Sequence, residues 1–295
     1  MAAVIGLVPF DELTADLLPG LRGGFDAPAS GAVERTDHEV PGDPPVPVRV
    51  HRPAGVTGDL PCLYSMHGGG YVLGSHAFDD GAFERLCPAL GVVGVSVDYR
   101  LAPETPYPGP LEDCYRGLVW AHEHAAELGI DPGRVGVMGI SAGGGLAAAL
   151  SLLARERGTP PIAFQLLDSP MIDDRQVTPS SRQDGLPVWS RGSNLFGWRS
   201  YLGDLHGRDD VPPTAAPARA TDLAGLPPAF VAVGAVDGFR DEDVDYAVRL
   251  ARAGVEIELH VYPGACHGFQ IAAESTVACQ HQRNVEEWLA RQVAR

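Results

Sequence analysis

Long apolar runs are missing from the chain. No stretch reaches the roughly 18 consecutive apolar residues that a membrane-spanning helix requires. The N-terminus, MAAVIGLVPFDEL, lacks a basic leader, and Asp11 and Glu12 end its apolar run. No secretory signal is expected from it, and a cytoplasmic location is the default expectation. Cysteine is sparse and odd in number, at positions 62, 87, 114, 266 and 279, with no CxxC pair. That argues for ordinary buried thiols and against a disulfide framework. Cys266 precedes His267, but adjacent residues point their side chains apart, so it reads as a packing residue. Basic side chains are outnumbered, 22 against 38 acidic, for a formal charge of -16. Such a surface repels nucleic acid and anionic membranes, and neither is expected as a partner. No zinc-finger spacing, basic stripe or RNA-binding aromatic motif occurs.

What is present suits one large soluble domain. The 295 residues are 45% apolar and 20% charged, which permits a sizeable core. Residues 1–32 hold two short amphipathic patches broken by Pro19, Gly20, Gly23 and Gly24, and read as a separate helical flap. Strand signals follow at 46–52, 62–67, 92–99, 135–139, 162–169, 229–234 and 255–262. Helical segments lie between and after them, at about 77–90, 111–127, 142–156, 240–253 and 281–293. Alternation of this kind predicts an α/β fold, a mostly parallel sheet with helices on both faces. In open sheets, chemistry gathers at the carboxyl ends of the strands. Residues 170–225 break the rhythm and carry Trp189, Phe196, Trp198 and Tyr201. The segment is too long for a plain connection. It reads as a lid or pocket wall built jointly with residues 1–32, or else as a packed surface excursion.

The strongest local signal is GISAGG at 139–144. A strand, VGVMG, runs directly into Ser141, and AGGGLAAALSLLA continues as a helix. Gly139 and Gly143 flank the serine in a G-x-S-x-G pattern, as a sharp strand-to-helix turn demands. Such a turn exposes the hydroxyl, and the helix N-terminus favours developing negative charge. A phosphate-binding loop is the competing reading, but no Walker lysine follows and the dinucleotide spacing is absent. Ser141 is therefore the candidate nucleophile.

HGGGY at 67–71 ends another strand. Its three glycines let the backbone approach a bound carbonyl closely. Their N–H groups, with that of Ala142, are candidate oxyanion donors. A serine nucleophile needs a base. His267 follows the last strand across the turn PGAC and is the candidate. His260 shares parity with Glu256 and Glu258 and is expected to face solvent, and His281 opens a polar helix with a structural or solvated role. The acid should lie between nucleophile and base in chain order. Asp237, just beyond the strand AFVAVG, is the first choice, with Asp241 as runner-up. Asp241, Glu242, Asp243 and Asp245 otherwise read as first-turn charges complementing a helix dipole.

Taken together, HGGGY (67–71), DYRLAPE (98–104), LEDCYRGLVW (111–120), GISAGGGLAAAL (139–150), SPMIDDR (169–175), YLG (201–203), the run 225–255 and HVYPGACHGF (260–269) form an ordered set. In these the chain resembles the bacterial hormone-sensitive-lipase-type esterases, the HGGG-motif carboxylesterases of the α/β-hydrolase superfamily. The resemblance implies a Ser141–His267–Asp237 triad and oxyanion donors at Gly69, Gly70 and Ala142. It implies that Gly68 holds the loop, and that His67 and the DYRLAPE segment brace it. It further implies an eight-stranded sheet and a small helical cap, made of residues 1–32 and an insertion at about 175–222 in a catalytic domain spanning 33–295. Esters of short or medium acyl chains would be hydrolysed, with no cofactor and no metal. Two departures stand out. Ile140 precedes the nucleophile where the family commonly has Asp or Thr, so a polar contact is missing. Only 66 residues precede HGGGY, which predicts a short cap and a more open site.

The alternatives are an amidase or lactonase using the same groups, a lipase for long insoluble chains, and a non-catalytic ligand-binding protein on the same scaffold. The expected partner is a small-molecule ester, and an edge strand near the C-terminus leaves a homodimer open.

Overall fold

In a computed structural model, residues 13–22 and 30–295 are described. Eight strands form one sheet. They are β1 (Val33–Val40), β2 (Val46–Pro53), β3 (Leu60–Met66), β4 (Val93–Val97), β5 (Ile130–Ile140), β6 (Gln165–Asp168), β7 (Ala229–Val236) and β8 (Ile257–Cys266). The principal helices are α1 (Asp80–Leu90), α2 (Gly109–Glu123), α3 (Ala142–Arg157), α4 (Arg191–Leu202), α5 (Arg240–Arg252) and α6 (Thr276–Val293). The strand order is β1-β2-β4-β3-β5-β6-β7-β8. β2 pairs antiparallel with β1 and with β4, and every other pairing is parallel. The α/β sheet expected from sequence is therefore present, with the predicted eight strands.

Central strands are apolar throughout because helices cover both faces. All five residues of β4 are buried, as are all four of β6. The register aligns Met66 of β3 with Gly139 of β5, and Ile140 of β5 with Asp168 of β6. The carboxyl ends of β3, β5 and β6 thus finish side by side.

Two packed layers flank the sheet. One contains Tyr64, Val95, Val137, Leu146, Leu150 and Tyr246. The other contains Phe83 and Leu86 of α1, Phe164, Phe230, and Trp288 and Leu289 of α6. α3 is buried continuously from Ala142 to Ala154, as expected of a helix enclosed on all sides. Gly143 makes that enclosure possible: a Cβ there would meet the Met66 carbonyl oxygen at 1.9 Å.

β1 has no counterpart among the predicted strands. Its sequence, VERTDHEV, buries only the two terminal valines. The strand is an edge held by its ladder to β2 and by the Arg49–Asp37 ion pair, so hydrophobic alternation gives no sign of it. The predicted strand at 162–169 shortens to β6, while 135–139 extends backwards to Ile130 through a break in register.

Of the predicted segment 1–32, residues 1–12 and 23–29 lie outside the described residues. In the part described, Leu13 and Leu18 are buried in the main core. Arg22 donates to the Val72 and Ala102 carbonyls and pairs with Glu104. That side chain ties the N-terminal segment to both the HGGGY and DYRLAPE regions. No described helix is long and apolar enough to cross a membrane.

Candidate active site

Ser141 sits where β5 turns into α3, with φ 58° and ψ -122°. A side chain in the left-handed region costs on the order of 1–3 kcal/mol and persists only where its surroundings impose it. Here the main chain imposes it. The Ser141 N–H donates to the Asp168 carbonyl at 2.8 Å, and its carbonyl accepts from Gly145 and Met171 N–H groups. Small residues are obligatory beneath it, since a Cβ on Gly139 would meet the Gly143 carbonyl oxygen at 2.2 Å.

Asp237 follows β7 and His267 follows β8. The structure brings both to Ser141. His267 Nδ1–H donates to Asp237 Oδ2 at 2.8 Å, which leaves Nε2 as acceptor for the Ser141 hydroxyl at 2.9 Å. Asp237 Oδ1 also accepts the Phe239 N–H. All three side chains are buried, and the Phe239 ring meets the imidazole edge-on at 5.0 Å. Burial, the largest single influence, pulls the His267 imidazole down. The charge and hydrogen bond of Asp237, helped by the Asp168 charge, outweigh it and leave the ring easier to protonate than a free histidine.

Beside the hydroxyl lies the glycine loop. The position of a Cβ on Gly68 is 3.1 Å from the Ile140 carbonyl oxygen and 3.6 Å from Ser141 Cβ, so the loop packs on the turn itself. Gly69 and Gly70 adopt positive φ, 122° and 60°. Ala142, as the first residue of α3, has no intrahelical acceptor for its N–H. Ile140, the departure noted above, turns its Cγ2 to within 3.3 Å of the same Gly68 position. An apolar contact with the loop thus stands where a polar one is usual.

His67 supports the loop rather than reacting. Its ring stacks on Tyr99 at 4.1 Å, and Nδ1–H donates to the Gly68 carbonyl at 2.8 Å. Burial pushes its pKa down to about 4, so it stays neutral. Tyr99, from the DYRLAPE segment, donates its hydroxyl to the His67 carbonyl.

Two side chains from the 170–225 segment pack on the same place. Trp189 lies directly over Gly70, where a Cβ would meet its ring at 2.1 Å. Tyr71 stacks on Tyr201 of α4 at 4.0 Å. Trp189 and Tyr201 belong to the segment that the sequence reads as a lid or pocket wall, or else as a packed surface excursion.

The remaining candidates fare differently. Asp241, the runner-up acid, accepts the Ser180 N–H and pairs with Arg240 instead of reaching His267. Glu242 and Asp243 are not exposed dipole charges. Both are buried, and burial with neighbouring acids pushes both well above the usual carboxyl range. Glu242 Oε1 accepts the N–H groups of Ile172 and Asp173. His260 does not face open solvent: it is half-buried, bonded to Glu258 and stacked on Tyr262. His281 is buried beside Asp168. Cys266 is buried, and burial pushes its thiol up, consistent with packing. Sequence reasoning passed over Asp168, whose partners Gln270 and His281 are distant in the chain. Among the described residues, no group of three or more His, Cys, Asp or Glu side chains is arranged to hold a metal ion.

Comparison with known proteins places the fold and the family. A family profile described as "alpha/beta hydrolase fold" matches residues 63–271. Carboxylesterase NlhH of Mycobacterium tuberculosis is 40% identical over 227 residues, covering 76% of this chain and 71% of the relative. Among solved structures, Bacterial Heroin Esterase superposes with a TM-score of 0.87 at 38% identity, covering 99% of this chain and 88% of that one. Esterase LipW from Mycobacterium marinum gives 0.83 at 36% identity, covering 96% and 97%. The chain belongs to the hormone-sensitive-lipase-type family of α/β-hydrolases. It is an enzyme of the carboxylic ester hydrolase class.

Proposed function

We propose that this enzyme hydrolyses carboxylic esters of short or medium acyl chain through an acyl-enzyme on Ser141, with His267 as base and Asp237 as the acid that orients it. The observation that carries the reading is the continuous relay from Asp237 through His267 to the Ser141 hydroxyl, with contacts of 2.8 and 2.9 Å. His267 Nε2 takes the hydroxyl proton as the oxygen attacks the ester carbonyl. Asp237 fixes the tautomer and stabilises the imidazolium that forms. The negative oxygen of the tetrahedral intermediate meets the N–H groups of Gly69, Gly70 and Ala142, each such donor contributing about 3 kcal/mol at the transition state. The imidazolium returns its proton to the departing alcohol. Water then attacks the acyl-enzyme by the same route.

The acyl-length preference is supported by the aromatic wall. Trp189 lies over Gly70 and Phe239 lies against His267, so large aromatic side chains stand beside the place the reacting carbonyl would take. Gly68 and His67 act on the loop's shape and not on the substrate. The partner is a small-molecule ester.

The test is an initial-rate panel of nitrophenyl esters of increasing acyl length, with matched amides and lactones, run beside Ser141→Ala. Turnover should peak at short or medium esters and vanish in the variant, while an organophosphate labels Ser141 in the parent. A Ser141→Ala protein with full activity would overturn the mechanism, and faster turnover of amides or lactones would reassign the substrate class.

A further inference from the structure

Asp168 closes β6, between the strand that ends at the nucleophile and the strand that leads to the acid. Its register partners are Ile140 on one side and Ala232 on the other. Three contacts radiate from this one residue. Its main-chain carbonyl accepts the Ser141 N–H at 2.8 Å. Its Oδ1 accepts from Gln270 Nε2 at 2.7 Å, three residues beyond His267. Its Oδ2 lies 3.0 Å from His281 Nε2, on α6, in an off-line ion pair. Gln270 belongs to the short 3-10 turn Phe269–Ile271 that continues the His267 loop.

The surroundings make this placement unusual. His281 is walled by Tyr262 and Phe269, both edge-on, at 5.4 and 5.2 Å. It belongs to the buried stripe of α6, with Val285, Trp288 and Leu289. A buried ion pair in an apolar layer is seldom retained for stability alone, because apolar residues of similar volume serve as well.

We propose that Asp168 is a positioning residue for ester hydrolysis, joining the nucleophile turn to the His267 loop so that hydroxyl and imidazole keep their separation. The inference rests on the triad reading above. Its carboxylate has a second effect, through charge, because it helps stabilise the protonated His267. The other charged groups facing this region are few. Asp237 lies at the end of β7, and Glu242 and Asp243 lie on α5 behind it. His281 lies on α6, and Arg85 of α1 acts on His281 while paired with Glu286. Burial pulls the His281 ring down, but the charge and contact of Asp168 outweigh it. His281, like His267, is thus easier to protonate than a free histidine, and its positive charge offsets part of the field of Asp168.

Opposite signs follow for two variants. Asp168→Asn keeps an oxygen for Gln270 and removes the charge. The acid limb of its kcat/KM profile should move to lower pH, and kcat should fall several-fold with KM little changed. His281→Gln removes the offsetting cation and should move the limb to higher pH. Organophosphate labelling of Ser141 in each variant confirms that the site is assembled. A limb that stays in place in both, or moves the same way in both, overturns the proposal. If Asp168→Asn does not fold, the direction of the His281→Gln limb decides alone. Failure of the triad reading would look different, as loss of labelling at Ser141 in the parent protein.

Discussion

On the mechanism proposed above, His267 carries the pH behaviour of the enzyme. Its reactive form would be the neutral imidazole, and its acidic neighbours raise its titration above the ordinary histidine value of 6.5. Protonation removes the base, so kcat/KM should be level on the alkaline side and fall about tenfold per pH unit below the midpoint. That midpoint should lie above 6.5. Asp237→Asn should lower it, because the main upward influence is lost, and should cut kcat by roughly 10³- to 10⁴-fold through the wrong tautomer. A pH–rate profile of both proteins checks the sign, and a parent midpoint below 6 would contradict the geometry. Ser141, Asp237 and His267, which the structure brings into one hydrogen-bonded row, were legible in the sequence because each follows a strong strand signal. Asp168 was not, since its work depends on contacts 102 and 113 residues away in the chain, with Gln270 and His281.

Secondary-structure elements meet here with almost no spare room. α3 crosses the end of β3 so closely that Gly143 faces the Met66 main-chain oxygen. A methyl group at that point has nowhere to go, because its neighbour is backbone and not the tip of a flexible side chain. Gly143→Ala should therefore lower unfolding free energy by about 1–3 kcal/mol, the ordinary range for overpacking, and reduce kcat by disturbing the Ser141 turn. Denaturant titration with parallel rate measurements tests both effects. A variant of unchanged stability would mean that α3 shifts freely. Elements marked by strong apolar runs, such as β4 and α3, were readable in advance, as was the amphipathic α5. β1 was hidden because its residues are charged and its stability comes from pairing. The burial of Glu242 and Asp243 was hidden too, because the face that a helix presents to a strand end is decided by tertiary packing.

At the scale of the whole molecule, the excess of acidic side chains sets the long-range field. The formal charge is -16. An ester with a carboxylate on its acyl chain should be turned over more slowly than a neutral ester of matched length, chiefly through kcat/KM. Salt should narrow the gap, since the screening length falls from roughly 30 Å at 0.01 M to about 3 Å at 1 M. Rates on the two esters across that range provide the check. A gap indifferent to salt would place the discrimination inside the pocket.

One contact links all three scales. Tyr71 follows the glycine loop directly, donates its hydroxyl to the Met171 carbonyl, and lies flat on Tyr201 of α4. The ring that follows the glycine loop is thus bolted to α4. With that helix tied to the loop, catalysis should start at full speed in plain solution, without the lag or burst that emulsified substrate provokes in enzymes gated by a door.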